Sequence, residues 1–227
     1  PGMMCTADLW SRQVEALAPD HAVTVGDITR ADNMVDIALQ LLAEAPPSFA
    51  LAGLSMGGIV AMEMWRRAPE RIERLALLDT NFRSDLPDRR SIRDRQVAEV
   101  NRGGLESVLR DELKPGYLAA CHQANTGMLD KVLAMGMSLG PAVFTRQSIA
   151  LRDRSDYRHT LATIACPTLV LCGEEDRLCP PQLHAEMAEL IPSAELQVIP
   201  DCGHLPTIEQ PQKVNSALLN WLGTHKE

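Results

Sequence analysis

The sequence has no apolar run approaching the roughly 20 residues that a membrane-spanning helix requires. Near its start Asp8 arrives early, and no basic segment leads into an apolar stretch as in an export leader. Neither insertion in a membrane nor export is expected, and the expected location is cytoplasmic. Positive charge is not in excess: 22 Lys and Arg stand against 30 Asp and Glu, a net charge of -8, which repels a phosphate backbone. Nucleic acid is therefore not an expected partner. Aromatic residues are scarce, with 3 Trp, 2 Tyr and 3 Phe, which argues against a site built on stacking. The cysteines Cys5, Cys121, Cys166, Cys172, Cys179 and Cys202 form no C-x-x-C and sit mostly in apolar runs such as Leu169-Val170-Leu171-Cys172. They read as reduced, buried thiols. A zinc ion held by Cys202, His204 and Cys179 is the competing reading, but a lone C-x-H lacks the second ligand pair such sites need. No internal repeat and no low-complexity tract is present.

What is present is enough apolar sequence for one sizeable core: 45% hydrophobic and 23% charged residues over 227 positions. Strand-like and helix-like runs alternate, as expected of parallel strands joined by crossover helices. His21 to Val25 is a short strand candidate. Met34, Ile37, Ala38, Leu41 and Leu42 recur at helical spacing between Asp32, placed to cap, and Pro46, placed to stop, predicting a helix over 33–45. Phe49 to Leu54 is a compact apolar run and predicts a buried strand. A helix over 56–68 follows, then a strand from Arg74 to Leu78. Thr168 to Cys172 and Leu196 to Ile199 predict two more strands, with a helix over about 181–190 between them, and the tail from Pro211 predicts a closing helix.

Between Phe82 and about Thr160 no convincing strand is found, and Gly103-Gly104, Pro115-Gly116 and Gly140-Pro141 are breaks between helices. The expectation is a core made of 1–81 and 161–227, with 82–160 inserted as a helical cap. The insertion carries 13 Lys and Arg against 10 Asp and Glu. That excess is either a solvated surface or a lid whose arginines meet an anionic substrate.

The strongest chemical signal is Gly53-Leu54-Ser55-Met56-Gly57-Gly58, at the junction of a strand and a helix. A serine there sits on a turn so tight that side chains two positions away on either side would strike neighbouring backbone, which explains Gly53 and Gly57. The turn exposes the hydroxyl and sets Ser55 at a helix N-terminus, where free N–H groups favour a developing oxyanion. Serine is a weak nucleophile and needs a base, and the base needs an acid to orient it. Gly173-Glu174-Glu175-Asp176-Arg177 follows one strand, and Pro200-Asp201-Cys202-Gly203-His204 follows the next. Loops at the carboxyl ends of parallel strands converge on one rim, giving Ser55, Asp176 and His204 in that order. His21, His122, His159, His184 and His225 have ordinary readings at strand edges, helix surfaces or the tail. For the acid, Asp176 is preferred over Glu174, Glu175, Asp201 and Asp79.

These pieces resemble an α/β-hydrolase-fold serine hydrolase: the elbow at Ser55, the run Pro167 to Asp176 with Pro180 beyond, Cys202-Gly203-His204 before the last helix, and the helical insertion. The resemblance spans nearly the whole chain. It implies an α/β fold with a mostly parallel, doubly wound sheet, catalytic Ser55, Asp176 and His204, and an oxyanion hole made by the N–H groups of Met3 and Met56. It implies no metal and no organic cofactor. The elbow and Arg146-Gln147 are similar to small-molecule carboxylesterases and enol-lactone hydrolases of the 3-oxoadipate type. The implied substrate is thus a small to medium ester or lactone, which can carry a carboxylate. A carbon–carbon bond hydrolase, a thioesterase, a perhydrolase and a degenerate ligand-binding protein of the same fold remain as alternatives, while haloalkane dehalogenation would need a carboxylate at Ser55. Met128, Met135, Met137, Leu139 and Phe144 either line an apolar pocket or belong to the core. The resemblance departs before Pro1-Gly2, where relatives have a hairpin and a central strand, so a clipped sequence is the expectation. Oligomeric state cannot be read from the sequence.

Overall fold

The computed structural model describes residues 1–223. His225 lies outside the described residues. Four parallel strands, β1 (Phe49–Leu54), β2 (Ile72–Leu78), β3 (Thr168–Gly173) and β4 (Ala194–Ile199), form one sheet in the order β1-β2-β3-β4. β3 is buried along its whole length and β2 over Leu75–Leu78, which is why both read as nearly continuous apolar runs. Alternate residues feed two cores. Leu75, Leu77 and Val170 pack on one face with Ile37, Ile59, Val60 and Met187, while Ala76, Leu78, Leu169 and Leu171 pack on the other with Leu9, Val214 and Leu218. Each such Leu, Val or Ile contributes on the order of 1.5–3 kcal/mol.

Four helices arise where the periodicity places them, α2 (Met34–Glu44), α3 (Met56–Arg67), Pro181–Leu190 and Pro211–Leu222, and α1 (Ser11–Leu17) forms in addition, without a sequence expectation. α2 is capped by Asn33 rather than Asp32; the Asn33 Oδ1 accepts from the Asp36 N–H at 2.8 Å. The strand expected over His21–Val25 does not form. A run of β-branched residues is not yet a strand, which requires a hydrogen-bonded neighbour, and the edge of the sheet is β1, where Ala50 and Ala52 are exposed.

Between β2 and β3 the chain is helical and forms no strand. α4 (Pro87–Asn101) ends at Gly103, whose φ of 100° stops it. The helical stretch Thr126–Arg152 is interrupted at Gly140, with φ 78°, just before Pro141, as that dipeptide predicts. Phe144 is fully buried and Met135 nearly so, both as core, whereas Met137 is exposed. No described helix is long and apolar enough to cross a membrane.

Candidate active site

β1 delivers Ser55 at its carboxyl end, and α3 starts at the next residue. Ser55 has φ 55°, a region that L-residues adopt only when the surroundings enforce it. Enforcement comes from backbone: the Ser55 N–H donates to Leu78 O at 2.9 Å, and its carbonyl accepts from the Gly58 N–H at 3.0 Å and the Thr80 hydroxyl at 2.6 Å. The flanking glycines are required as the sequence predicts. A Cβ at Gly53 would lie 2.3 Å from Gly57 O, and one at Gly57 would lie 2.6 Å from Pro1 O.

His204 and Asp176 occupy the loops after β4 and β3, and the structure brings both to Ser55. The His204 Nε2 is 2.9 Å from Ser55 Oγ, and its Nδ1 is 2.8 Å from Asp176 Oδ2. The other Asp176 oxygen accepts from the Leu178 and Cys179 N–H groups at 2.8 and 3.0 Å. Burial pushes the Asp176 carboxyl up, but the adjoining imidazole and these hydrogen bonds outweigh it, so its pKa is lowered. The competing carboxylates are elsewhere: Glu174 and Asp201 are exposed, and Glu175 accepts from the Ala120 N–H. Asp79 follows β2 in register with Ser55, but it is fully buried and accepts from the Gly173 N–H at 2.9 Å rather than from His204.

Pro1–Met3 packs against the elbow, since a Cβ on Gly2 would lie 3.4 Å from Ser55 Cβ. The N–H groups of Met3 and Met56 have no acceptor among the described residues. Met4, at φ 54°, is held by Gln147, whose Oε1 accepts from the Met4 N–H at 2.8 Å while its Nε2 donates to Ile28 O at 3.3 Å. Gln147 thus ties the helical segment to the turn that carries Met3, and Arg146 donates to Thr29 O at 2.8 Å beside it.

The carboxylate of Glu209 organises the His204 loop. Its Oε1 accepts from the Gly203 and Leu205 N–H groups, on either side of His204, at 3.0 and 3.2 Å. Its Oε2 accepts from the Ala119 N–H at 2.7 Å and lies 3.1 Å from His122 Nδ1. His122 is therefore engaged rather than a plain surface residue. Replacing Glu209 by Leu orphans three buried N–H groups at about 1–3 kcal/mol each. We expect thermal melting to show a loss of several kcal/mol, with Glu209→Gln retaining a larger part of the stability.

His184 also departs from its surface reading: it is fully buried. Its Nε2 accepts from the Thr80 N–H at 3.0 Å and its Nδ1 faces Pro180 O at 3.3 Å, which fixes the neutral tautomer. Burial lowers its pKa from the ordinary 6.5 to about 4. Its stabilising contribution is complete above the unfolded value and is lost as the pH falls from 6.5 toward 4, a loss of about 3 kcal/mol. Denaturant melts at pH 7 and pH 4.5 should show this, and His184→Asn should flatten the difference.

Among the described residues Cys202 joins no group of three or more possible metal ligands. The cluster whose donor atoms lie within 4.8 Å is Asp176, Cys179 and His204, and both imidazole nitrogens of that cluster are already engaged. A groove of about 590 Å³, lined by Arg12, Glu15 and Lys131 among others, includes none of these three side chains. The cations of 82–160 are mostly satisfied by acids or backbone carbonyls; Arg93 and Arg154 share buried Asp85, for example. Only Arg89 and Lys131 have no ion pair or hydrogen bond among the described residues. Arg93 Nη1 lies 4.0 Å from Met3 Sδ, so one face of α4 looks onto the elbow. Arg89 is one turn earlier on that face and its charge reaches the Tyr117 phenol and the Cys179 thiol. Tyr117 in turn sits 5.7 Å from the His204 ring, centroid to centroid.

A strand–elbow–helix serine, with an acid and a histidine in successive strand-end loops of a parallel sheet, is the arrangement found in α/β hydrolases. The family model described as alpha/beta hydrolase family matches residues 3–217, and the chain belongs to that family. It is similar to an esterase from Thermogutta terrifontis solved with malate bound, at 29% identity and a TM-score of 0.88, covering 98% of this chain and 87% of that one. It shares the fold of an enol-lactonase from Burkholderia xenovorans LB400, at 20% identity and a TM-score of 0.84, covering 98% and 88%. A relative from Serratia proteamaculans (strain 568), provisionally named carbamate hydrolase RutD, is 26% identical over 97% of this chain and 88% of its own length.

Proposed function

We propose that the protein is a serine hydrolase that cleaves a small to medium ester or lactone through an acyl-enzyme intermediate. The observation that carries the reading is the unbroken run of hydrogen bonds from Asp176 through His204 to Ser55 Oγ. His204 Nε2 takes the hydroxyl proton as Ser55 Oγ bonds to the substrate carbonyl carbon. The electron pair displaced onto the carbonyl oxygen is met by the Met3 and Met56 N–H groups. The imidazolium then gives its proton to the leaving alkoxide. In the second half, water loses a proton to His204, attacks the acyl carbon and releases the carboxylic acid, and the proton returns to Ser55. The relative named for carbamate hydrolysis supports a carbamate as a second substrate, since the same attack serves a carbonyl flanked by nitrogen.

The test is turnover of p-nitrophenyl acetate and butyrate by the wild type and Ser55→Ala, followed by a panel of esters, lactones, thioesters and carbamates ranked by kcat/KM. Equal turnover by the two proteins would remove Ser55 from the reaction. The panel should include a hemiester bearing a free carboxylate, because Arg89 is an unpaired cation beside the site and the Thermogutta relative was solved with a dicarboxylate. Arg89→Met should raise KM for the hemiester by roughly tenfold, about 1.4 kcal/mol, in low salt, and leave the neutral methyl ester within about twofold of wild type. An equal effect on both would mean that Arg89 does not read substrate charge.

A further inference from the structure

Asp79 ends β2 directly behind the residues just assigned. It is fully buried and holds a φ of 43°, a conformation that persists only where the surroundings over-determine it. Its Oδ1 accepts from the Gly173 N–H at 2.9 Å. Its Oδ2 is closed to solvent and has no hydrogen-bond partner among the described residues. Around the same Gly173 stands Asp176, whose N–H donates to Gly173 O at 3.2 Å and whose charge acts on Asp79. Two neighbouring carboxylates in a dry interior cannot both keep their charge, and a carboxylate oxygen with no partner and no solvent is costly unless it is protonated. The remaining partners decide where the proton sits. Asp176 faces the imidazole and accepts two backbone N–H groups, whereas Asp79 accepts one.

Resting on the serine-hydrolase reading above, we propose that Asp79 is held as the neutral acid and donates its proton in a hydrogen bond to the Asp176 carboxylate, as a positioning residue for the acid of the triad. Burial first, and the charge on Asp176 second, push the Asp79 carboxyl well above the ordinary range. The other titratable groups around it do not oppose this. Glu209 adds negative charge, and the thiols of Cys172, Cys179 and Cys202 are pushed up by burial and stay neutral. His184, reached through Thr80, is held neutral. No cation is paired with Asp79 among the described residues. The added donor fixes the rotation of the Asp176 carboxylate, so that Oδ2 faces His204.

The experiment uses Asp79→Asn, whose amide N–H replaces the acid O–H, and Asp79→Leu, which removes the donor. Its readouts are the pH profile of kcat/KM and infrared difference spectroscopy of the substrate-free protein. Asp79→Asn should keep kcat within about threefold of wild type and leave the acidic limb of the profile in place. Asp79→Leu should lower kcat about 10–100-fold with little change in KM, and should move the acidic limb upward, because Asp176 then presents its full charge to His204. A carbonyl stretch of a protonated carboxyl should be present in wild type at pH 7 and absent from Asp79→Asn. An ionised Asp79 predicts the opposite: no such band, and an acidic limb that moves down by roughly one unit in Asp79→Asn as a negative charge is lost. That pair of results would overturn the proposal. Should Asp79→Leu fail to fold, the infrared band and the Asn variant decide alone. An inactive Ser55→Ala with no infrared band defeats only this proposal, whereas an active Ser55→Ala defeats the reading on which it rests.

Discussion

Ser55→Ala is expected to lower kcat/KM for p-nitrophenyl butyrate by about 10,000-fold or more and to leave the melting temperature nearly unchanged. The two halves of this result have separate causes. The Ser55 side chain makes one hydrogen bond, to His204 Nε2, so its removal deletes the proposed attacking oxygen and little else. The restraints that hold the elbow are backbone: the bond to Leu78 O, the bond from the Thr80 hydroxyl, and the N–H groups of Gly58 and Ile59 on the Ser55 carbonyl. Alanine keeps all of them and is no more strained at φ 55° than serine. A large stability loss in this variant would mean that the hydroxyl has a structural role.

Gly53→Ala has the opposite signature. The new methyl carbon would lie 2.3 Å from Gly57 O, 2.4 Å from Gly57 C and 2.6 Å from Gly58 N. All three are backbone atoms at the start of α3, so no side-chain rotation relieves the overlap. Either β1 or the helix must move, at a cost of about 3 kcal/mol or more, which lowers the melting temperature by roughly 6–12 °C for a chain of this size. Movement of α3 also displaces the Met56 N–H, so the folded fraction should lose kcat. Gly103→Ala is the control: no atom lies within 4 Å of its Cβ position and only the φ of 100° is strained, so a loss of about 1 kcal/mol is expected, without effect on kcat.

The parts of the site readable from the sequence are those imposed by local chain geometry. A serine between glycines at a strand-to-helix junction has few other uses, and Asp176 and His204 announce themselves by following apolar strands. α2, α3, the helices after β3 and β4, and β1 to β4 are readable for the same reason, because their periodicity is written within ten or so residues, whereas α1 carries too short a pattern to be read. What could not be read depends on contacts across the chain. Asp79 meets the Gly173 N–H 94 positions away, Glu209 meets Ala119 90 positions away, and Gln147 meets Met4 143 positions away. In each case the signal present was only a polar residue in or beside an apolar run: Asp79 after Leu77-Leu78, and Gln147 near Phe144. Such a residue either starts a loop or is buried with partners, and sequence alone does not choose. His184 was misread in the same way, since its burial comes from Thr80 and the core beneath. The failure at His21–Val25 is different: Val23, Thr24 and Val25 suit a strand, but pairing decides whether a strand exists.

Everything proposed for this protein turns on Ser55 Oγ becoming a nucleophile through His204. A fluorophosphonate, which phosphonylates activated serines, tests this directly when the adduct is mapped by peptide mass spectrometry. The account predicts one adduct per chain, on Ser55, lost in Ser55→Ala and strongly slowed in His204→Ala. Labelling at another residue, or equal rates of labelling with and without the imidazole, would contradict it.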